Sequence, residues 1–146
     1  MIIREAVKED LEQLLLLYTH LNENTMPEID VRVENVWETI LSEDTLHVVV
    51  GVEGGIIVSS CVLMIIPNLT QGQRPYAFVE SVVTHADHRK KGYGTMVLEY
   101  AKQLAIREDC YKISLMTGSK LESTHNFYRN AGYNSGDKTA FIQWLQ

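Results

Sequence analysis

Leu11, Leu14, Leu15, Tyr18 and Leu21 recur at three- and four-residue spacing, which predicts a helix from Lys8 to Leu21 with one apolar face. Glu9 and Asp10 fall in its first turn, where the helix dipole favours negative charge. The stretch from Asn22 to Asp30 is polar and contains Pro27, so it reads as a loop, and Val31 to Ser42 reads as a second, shorter helix. Leu46, Val48 and Val50 alternate with His47 and Val49, a strand pattern. Glu53-Gly54-Gly55 is a tight-turn signal, after which Ile56 to Ile66 continues as a strand ended by Pro67. The two form a hairpin. After a loop from Asn68 to Pro75, Ala77 to Thr84 is a third long strand. Gly94, Val97, Leu98, Ala101, Leu104 and Ala105 share one face of a helix from Gly92 to Arg107. Lys112 to Thr117 is a short strand, and Ser123 to Ala131 a short helix stopped by Gly132 in the position of a left-handed cap. Tyr133 and Thr139 to Leu145 are expected to form final strands around the turn at Ser135-Gly136-Asp137. With Ile2 to Glu5 as a first strand, the order is β-α-α-β-β-β-α-β-α-β-β. That is an α/β chain with a central mixed sheet and helices on both faces.

A length of 146 residues suits a single domain spanning 1–146, large enough to bury a core without metal or disulfide staples. Hydrophobic residues make up 45% and charged residues 22%, as in an average soluble protein. No apolar run approaches the ~20 residues needed to span a bilayer. Met1 to Glu5 carries no secretion pattern, so the expected location is cytoplasmic, with no membrane partner. Cys61 and Cys110 lie far apart and read as two reduced thiols. The net charge of −6 argues against nucleic acid as a partner and suits a cationic small substrate. Against that background His88-Arg89-Lys90-Lys91 is a local basic cluster.

The chemistry concentrates between Phe78 and Thr95, where a strand runs into a short polar turn and then into a helix opened by Gly92 and Gly94. The start of a helix leaves about four backbone N–H groups unpaired, and with the helix dipole these make an anion site. Glycines at 92 and 94 allow a phosphate to approach the backbone, and Arg89, Lys90 and Lys91 add positive charge. A pyrophosphate at residues 89–95 is the physical expectation. The GxxxxGK[ST] loop is absent, and Val97 stands where a dinucleotide fingerprint would need its third glycine. What remains is R-x-x-G-x-G. His85-Ala86-Asp87-His88 lacks the further ligands of a zinc site, so no metal is expected.

Arg89-Lys90-Lys91-Gly92-Tyr93-Gly94 resembles the Q/R-x-x-G-x-G/A signature of the GNAT superfamily of N-acetyltransferases, and stands as that signature does between a long strand and a central helix. Asn126-Phe127-Tyr128, followed by Gly132-Tyr133, resembles a second family element, as does the start Ile3-Arg4-Glu5-Ala6. The resemblance covers essentially the whole chain, most weakly from Asn22 to Ser42 and from Pro67 to Tyr76. It implies a GNAT-type fold and acetyl transfer from acetyl-CoA to a primary amine on a small molecule, amino acid or peptide. Backbone amides of Arg89, Lys90, Lys91, Gly92, Tyr93, Gly94 and Thr95 would hold the coenzyme A pyrophosphate. Val82, Val83 and Thr84, on a strand splayed at a bulge, would pair with the pantetheine arm, with Asn126 also touching it. Glu80 is the candidate base and Tyr128 the candidate acid. Read without the resemblance, Glu80 could equally be an ion-paired strand residue and Tyr128 a core aromatic, while Trp37 and Trp144 read as packing residues. The acceptor cleft would involve Trp37 and the loop with Glu23, Glu28 and Asp30. A non-catalytic acyl-CoA sensor is the alternative function, and Thr139 to Leu145 is the expected interface of a homodimer.

Overall fold

The computed structural model describes residues 1–21 and 24–146. Its strands are β1 (Ile2–Glu5), β2 (Leu46–Glu53), β3 (Ile56–Ile66), β4 (Tyr76–Thr84) and β5 (Ile113–Leu115). Its α-helices are α1 (Leu11–Tyr18), α2 (Val31–Ser42), α3 (Tyr93–Arg107) and α4 (Glu122–Asn130). The strands form one sheet in sequence order, antiparallel from β1 to β4 and parallel between β4 and β5. The parallel step follows from the α3 crossover, since parallel neighbours need a long connection. Among the described residues no helix is long and apolar enough to cross a membrane.

Helices cover both faces, as the pattern predicts. On one face α3 packs Val97, Leu98, Ala101 and Leu104 against Val49, Cys61, Leu63 and Val79, with Phe127 and Tyr128 of α4 at the margin. On the other, Leu14 and Leu17 of α1 and Trp37 of α2 pack against Val48, Val50, Ile57 and Val83. Strand β3 is covered on both sides, which is why it reads as a continuous run rather than an alternation. Its two fully buried serines are satisfied: Ser60 Oγ donates to Val49 O at 2.7 Å, and Ser59 Oγ lies 3.2 Å from Val83 O and 2.9 Å from Thr84 Oγ1. The β2–β3 turn places Gly54 at φ 57° and Gly55 at φ 80°, as a tight hairpin with two left-handed residues requires.

Three expectations change. The predicted helix from Lys8 to Leu21 begins as a 3-10 turn at Lys8–Asp10, and its end loosens into i→i−3 bonds from Thr19, His20 and Leu21. The predicted strand from Lys112 to Thr117 shrinks to Ile113–Leu115, because its pairing with β4 stops at Val79↔Leu115. The final strands at Tyr133 and Thr139–Leu145 do not form. Phe141, Trp144 and Leu145 are 89%, 84% and 88% exposed, so Trp144 is not a packing residue of this chain. Strand propensity there is real, but a strand is stabilised by a paired neighbour, and the described residues offer it none. Trp37, by contrast, is buried and donates from Nε1 to Lys8 O at 3.0 Å.

Asp10 ties β1 to the start of α1. It accepts from Arg4 at 2.6 and 3.1 Å and from the Val7 amide at 2.8 Å. The Arg4 guanidinium holds the Asp10 carboxyl below its ordinary range, with burial opposing and the Val7 amide adding. A carboxyl depressed in the fold stabilises above its unfolded pKa, and that stabilisation is lost as pH falls through the folded value. Arg4 is 38% exposed, so solvent screens part of the pair. Asp10→Asn is expected to cost about 1–2 kcal/mol at pH 7 by urea denaturation. The gap to the parent protein should close as the pH is taken below 4, once the parent carboxyl is itself protonated.

Candidate active site and anion cradle

Strand β4 changes character halfway along. Val62 of β3 faces Glu80 and Ser60 faces Val83, so Cys61 alone stands opposite Ser81 and Val82. This is a bulge, and Ser81 takes φ 54° to make it. The extra residue resets the alternation. Ala77 and Val79 point to the α3 face, whereas after the bulge Val82 packs toward α3 and Val83 is buried against α1 and α2. Beyond Val79, β4 also loses its partner on the other edge, because β5 ends at Leu115. The stretch from Glu80 to Thr84 therefore has an open backbone edge facing the end of β5.

The turn after β4 leads into α3 through Lys90 at φ 62° and Gly92 at φ 82°. Left-handed residues on either side of Lys91 turn neighbouring amides toward one point, the geometry of an anion nest. Among the described residues no hydrogen bond uses the N–H groups of residues 89–95; the helix ladder opens with the carbonyl of Gly92, which accepts from Met96 at 3.1 Å. Lys90, Lys91 and Thr95 are exposed beside them, and Tyr93 stacks on His88 with ring centroids 6.1 Å apart. Arg89 does something the sequence does not reveal. Its Nε donates to Thr84 O at 3.1 Å and its Nη2 to His20 O at 3.3 Å, so the side chain braces the turn against the end of α1. His20 stacks on His85 at 4.0 Å and accepts from the Ala86 amide at 3.3 Å, while His85 accepts from the Asp87 amide at 3.1 Å. Partial burial, His85 and Arg89 lower the His20 pKa, which keeps that ring an acceptor. Among the described residues no three His, Cys, Asp or Glu side chains come together as metal ligands would.

The two signature glycines have different reasons. Gly92 needs its left-handed conformation, and a Cβ there would meet nothing within 4 Å. At Gly94 an added Cβ would lie 2.9 Å from Phe127 Cζ and 3.3 Å from Thr84 Oγ1. Close packing of α4 and β4 against the first turn of α3, rather than room for a phosphate alone, requires glycine at 94.

Tyr128 sits half-buried on the α3 side, edge-on to Phe127 at 5.0 Å and to Tyr133 at 6.3 Å. Burial raises its phenol pKa, and Cys61 and Glu80 push the same way, so the hydroxyl keeps its proton at neutral pH. Cys61 itself is pushed by burial to about 12 and is an inert core thiol. The Tyr133 hydroxyl is buried with no partner among the described residues. Asn126 is exposed, with Oδ1 accepting from Arg129 at 3.1 Å, which leaves its amide nitrogen available. Glu80 is exposed and makes no ion pair among the described residues, so the ion-paired reading of this side chain does not hold there. With Ser81 it lines a cavity of about 540 Å³ between α1, α2 and strands β2–β4, to which Tyr18 and Trp37 also contribute.

Glu28 and Asp30 do not line that cavity, and Glu23 lies outside the described residues. Asp30 is committed to capping α2, accepting from the Val33 amide at 2.9 Å. Reading the sequence missed Ser81, Phe127 and Tyr18 as parts of the site. Phe127 had a signal, since it stands between Asn126 and Tyr128. Ser81 had none, because a bulge built without glycine leaves no mark on composition. As a whole the site offers free amides for an anion, an open strand edge for an extended ligand, and a carboxylate and a phenol approaching that edge from opposite faces of the sheet.

A family model described as the acetyltransferase (GNAT) family matches residues 9–133. A solved structure from Agrobacterium tumefaciens strain C58, assigned to the acetyltransferases, superposes with a TM-score of 0.91 at 36% identity, covering 99% of this chain and 100% of that one. YhdJ of Bacillus subtilis, named as an uncharacterized N-acetyltransferase, is 32% identical over 63 residues, which span 43% of this chain and 44% of that protein. The aminoglycoside N-acetyltransferase AAC(6')-Iy, solved in complex with CoA, shares the fold with a TM-score of 0.78 at 16% identity, covering 99% of this chain and 100% of that one.

Gly94→Ala should lower stability by about 1–3 kcal/mol through the forced contact with Phe127. Pairing it with Phe127→Leu should recover part of the loss in thermal melts. Gly92→Ala, which meets no neighbour, should cost only about 1–2 kcal/mol from its backbone conformation, and Phe127→Leu should leave that cost in place.

Proposed function

The chain belongs to the GNAT acetyltransferase family, and from that premise we propose that it moves an acetyl group from acetyl-CoA to a primary amine by direct attack. The observation that carries the reading is the set of unpaired amides at residues 89–95 lying beside the open edge of β4. Free donors at a helix start suit a diphosphate. The outer edge of β4 beyond Val79, which no strand pairs with, suits the amide-bearing pantetheine arm, which can complete the hydrogen bonding the sheet gives up there. The solved CoA complex of AAC(6')-Iy supports the same choice of ligand at the level of the shared fold.

In this reading Arg89, Lys90, Lys91, Gly92, Tyr93, Gly94 and Thr95 hold the pyrophosphate through their main chain, and Asn126 reaches the arm. A primary amine has a pKa of about 10 and is mostly protonated at neutral pH. Glu80 removes the proton, directly or through water, as the nitrogen attacks the thioester carbonyl. A backbone N–H at Val82 stabilises the oxygen as it gains charge. The C–S bond then breaks as Tyr128 gives its proton to the leaving sulfur, and the second proton that the nitrogen sheds on becoming an amide returns to the Tyr128 phenolate. Residues 1–146 act as one domain in the cytoplasm. The apolar tail from Thr139 to Leu145 joins two copies into a homodimer, which would cover side chains left 63–89% exposed in one chain, Ile142 to Phe141.

Tyr128→Phe should lower kcat by about 10- to 100-fold while coenzyme A binding by calorimetry is unchanged. Glu80→Gln should lower the rate at pH 7 and recover part of it near pH 9, where free amine is plentiful. Stronger binding of ATP or NAD than of coenzyme A would overturn the reading. Ending the chain after Lys138 should turn a dimer into a monomer by light scattering; a monomeric full chain would remove the proposed interface.

A further inference from the structure

The cavity beside Glu80 is the feature of this chain that bears on the acceptor. Its walls are apolar nearly throughout: Leu14 and Leu15 from α1, Val36 and Trp37 from α2, and Val62 and Met64 from β3 stand around it. The polar atoms that could interrupt this surface are already engaged or few. Trp37 Nε1 donates to Lys8 O. Burial pushes the Tyr18 phenol up to about 12, so it stays uncharged. Among the described residues Glu80 is the one carboxylate lining the cavity and Arg32 the one cation, and neither is in an ion pair. At about 540 Å³ it falls within the ~300–1,000 Å³ range of small-molecule sites.

We propose that the acceptor is a monoamine carried on an apolar body, such as an aryl or branched alkyl group, and that this cavity selects it. The inference rests on the acetyl-transfer reading of the same site. One carboxylate can neutralise one ammonium, and Glu80 lies next to the bulge where β4 opens. The rest of the ligand meets surface that gains from apolar contact. A hydroxylated sugar would find only Glu80, Arg32, Ser81 and the Tyr18 hydroxyl as polar partners, and each hydroxyl that reaches none of them loses water without compensation. A polycation would bring further ammonium groups toward Arg32. The fold is shared with AAC(6')-Iy, named for aminoglycosides, but the walls of this cavity do not suit that chemistry.

The test measures thiol release from acetyl-CoA by the full chain with 2-phenylethylamine, glucosamine and kanamycin, together with calorimetric binding of each amine. The expected result is a kcat/KM for 2-phenylethylamine at least about 10-fold above the other two. Val36, half-exposed at the cavity wall, can take a charge without opening the core. Val36→Asp should therefore cut kcat/KM for 2-phenylethylamine about 10-fold and leave coenzyme A affinity unchanged. Equal or better turnover of glucosamine or kanamycin overturns the apolar-acceptor inference and leaves acetyl transfer standing. If no amine releases thiol, acetyl transfer fails, and binding decides the cavity: 2-phenylethylamine bound more tightly than glucosamine supports the inference, and equal or absent binding overturns it.

Discussion

A sheet that stops pairing in its middle is the constraint on which the rest of this structure depends. β4 pairs with β5 only from Ala77 to Val79, and the bulge at Ser81 and Val82 shifts its register against β3. Backbone groups without partners are costly unless water or a ligand takes them. The protein keeps this edge at the surface and surrounds it with fixed elements. Arg89 ties the following turn to Thr84 and His20, Gly94 lets Phe127 press on the first turn of α3, and Ser59 holds Val83 and Thr84 from the β3 side. Each contact preserves an opening that the chain does not fill itself.

The fold was legible where a residue's surroundings are set by its own segment. The α3 stripe, the Gly54-Gly55 hairpin and the doubly buried run of β3 follow from spacing and turn chemistry alone, and β3 was bounded correctly at both ends. Boundaries failed where a distant partner decides them. β5 pairs with β4 only as far as Leu115, which no residue of β5 announces. The tail from Thr139 to Leu145 has strand-forming residues but no strand to pair with among the described residues.

The site divides in a similar way. The amide nest was legible because it is local: a strand, a short turn and a glycine-opened helix are contiguous from Phe78 to Thr95. The roles of individual side chains were less so. Arg89 reads as charge for a phosphate, yet its guanidinium is spent on two carbonyls. Gly94 reads as space for a ligand, yet its missing Cβ makes room for Phe127, a residue 33 positions away in sequence. Asp30 reads as a substrate contact and is a helix cap. In each case a long-range or capping partner claims a group that sequence reasoning assigns to a ligand.

The bulge also separates two chemistries. Glu80 lies on the α1–α2 side, with the apolar cavity, while Tyr128 packs on the α3 side among Phe127, Tyr133 and Cys61. A continuous sheet would keep such groups apart, because its strands fill the space between the faces. Only at the gap between β4 and β5 can one reacting centre be approached from both. In the proposed transfer a base meets the incoming amine and an acid the departing sulfur, both at the carbonyl carbon. Their placement on opposite faces is then compatible with one reaction because the sheet is open there. The raised phenol pKa keeps the Tyr128 hydroxyl protonated, as the acid of the proposed transfer needs to be.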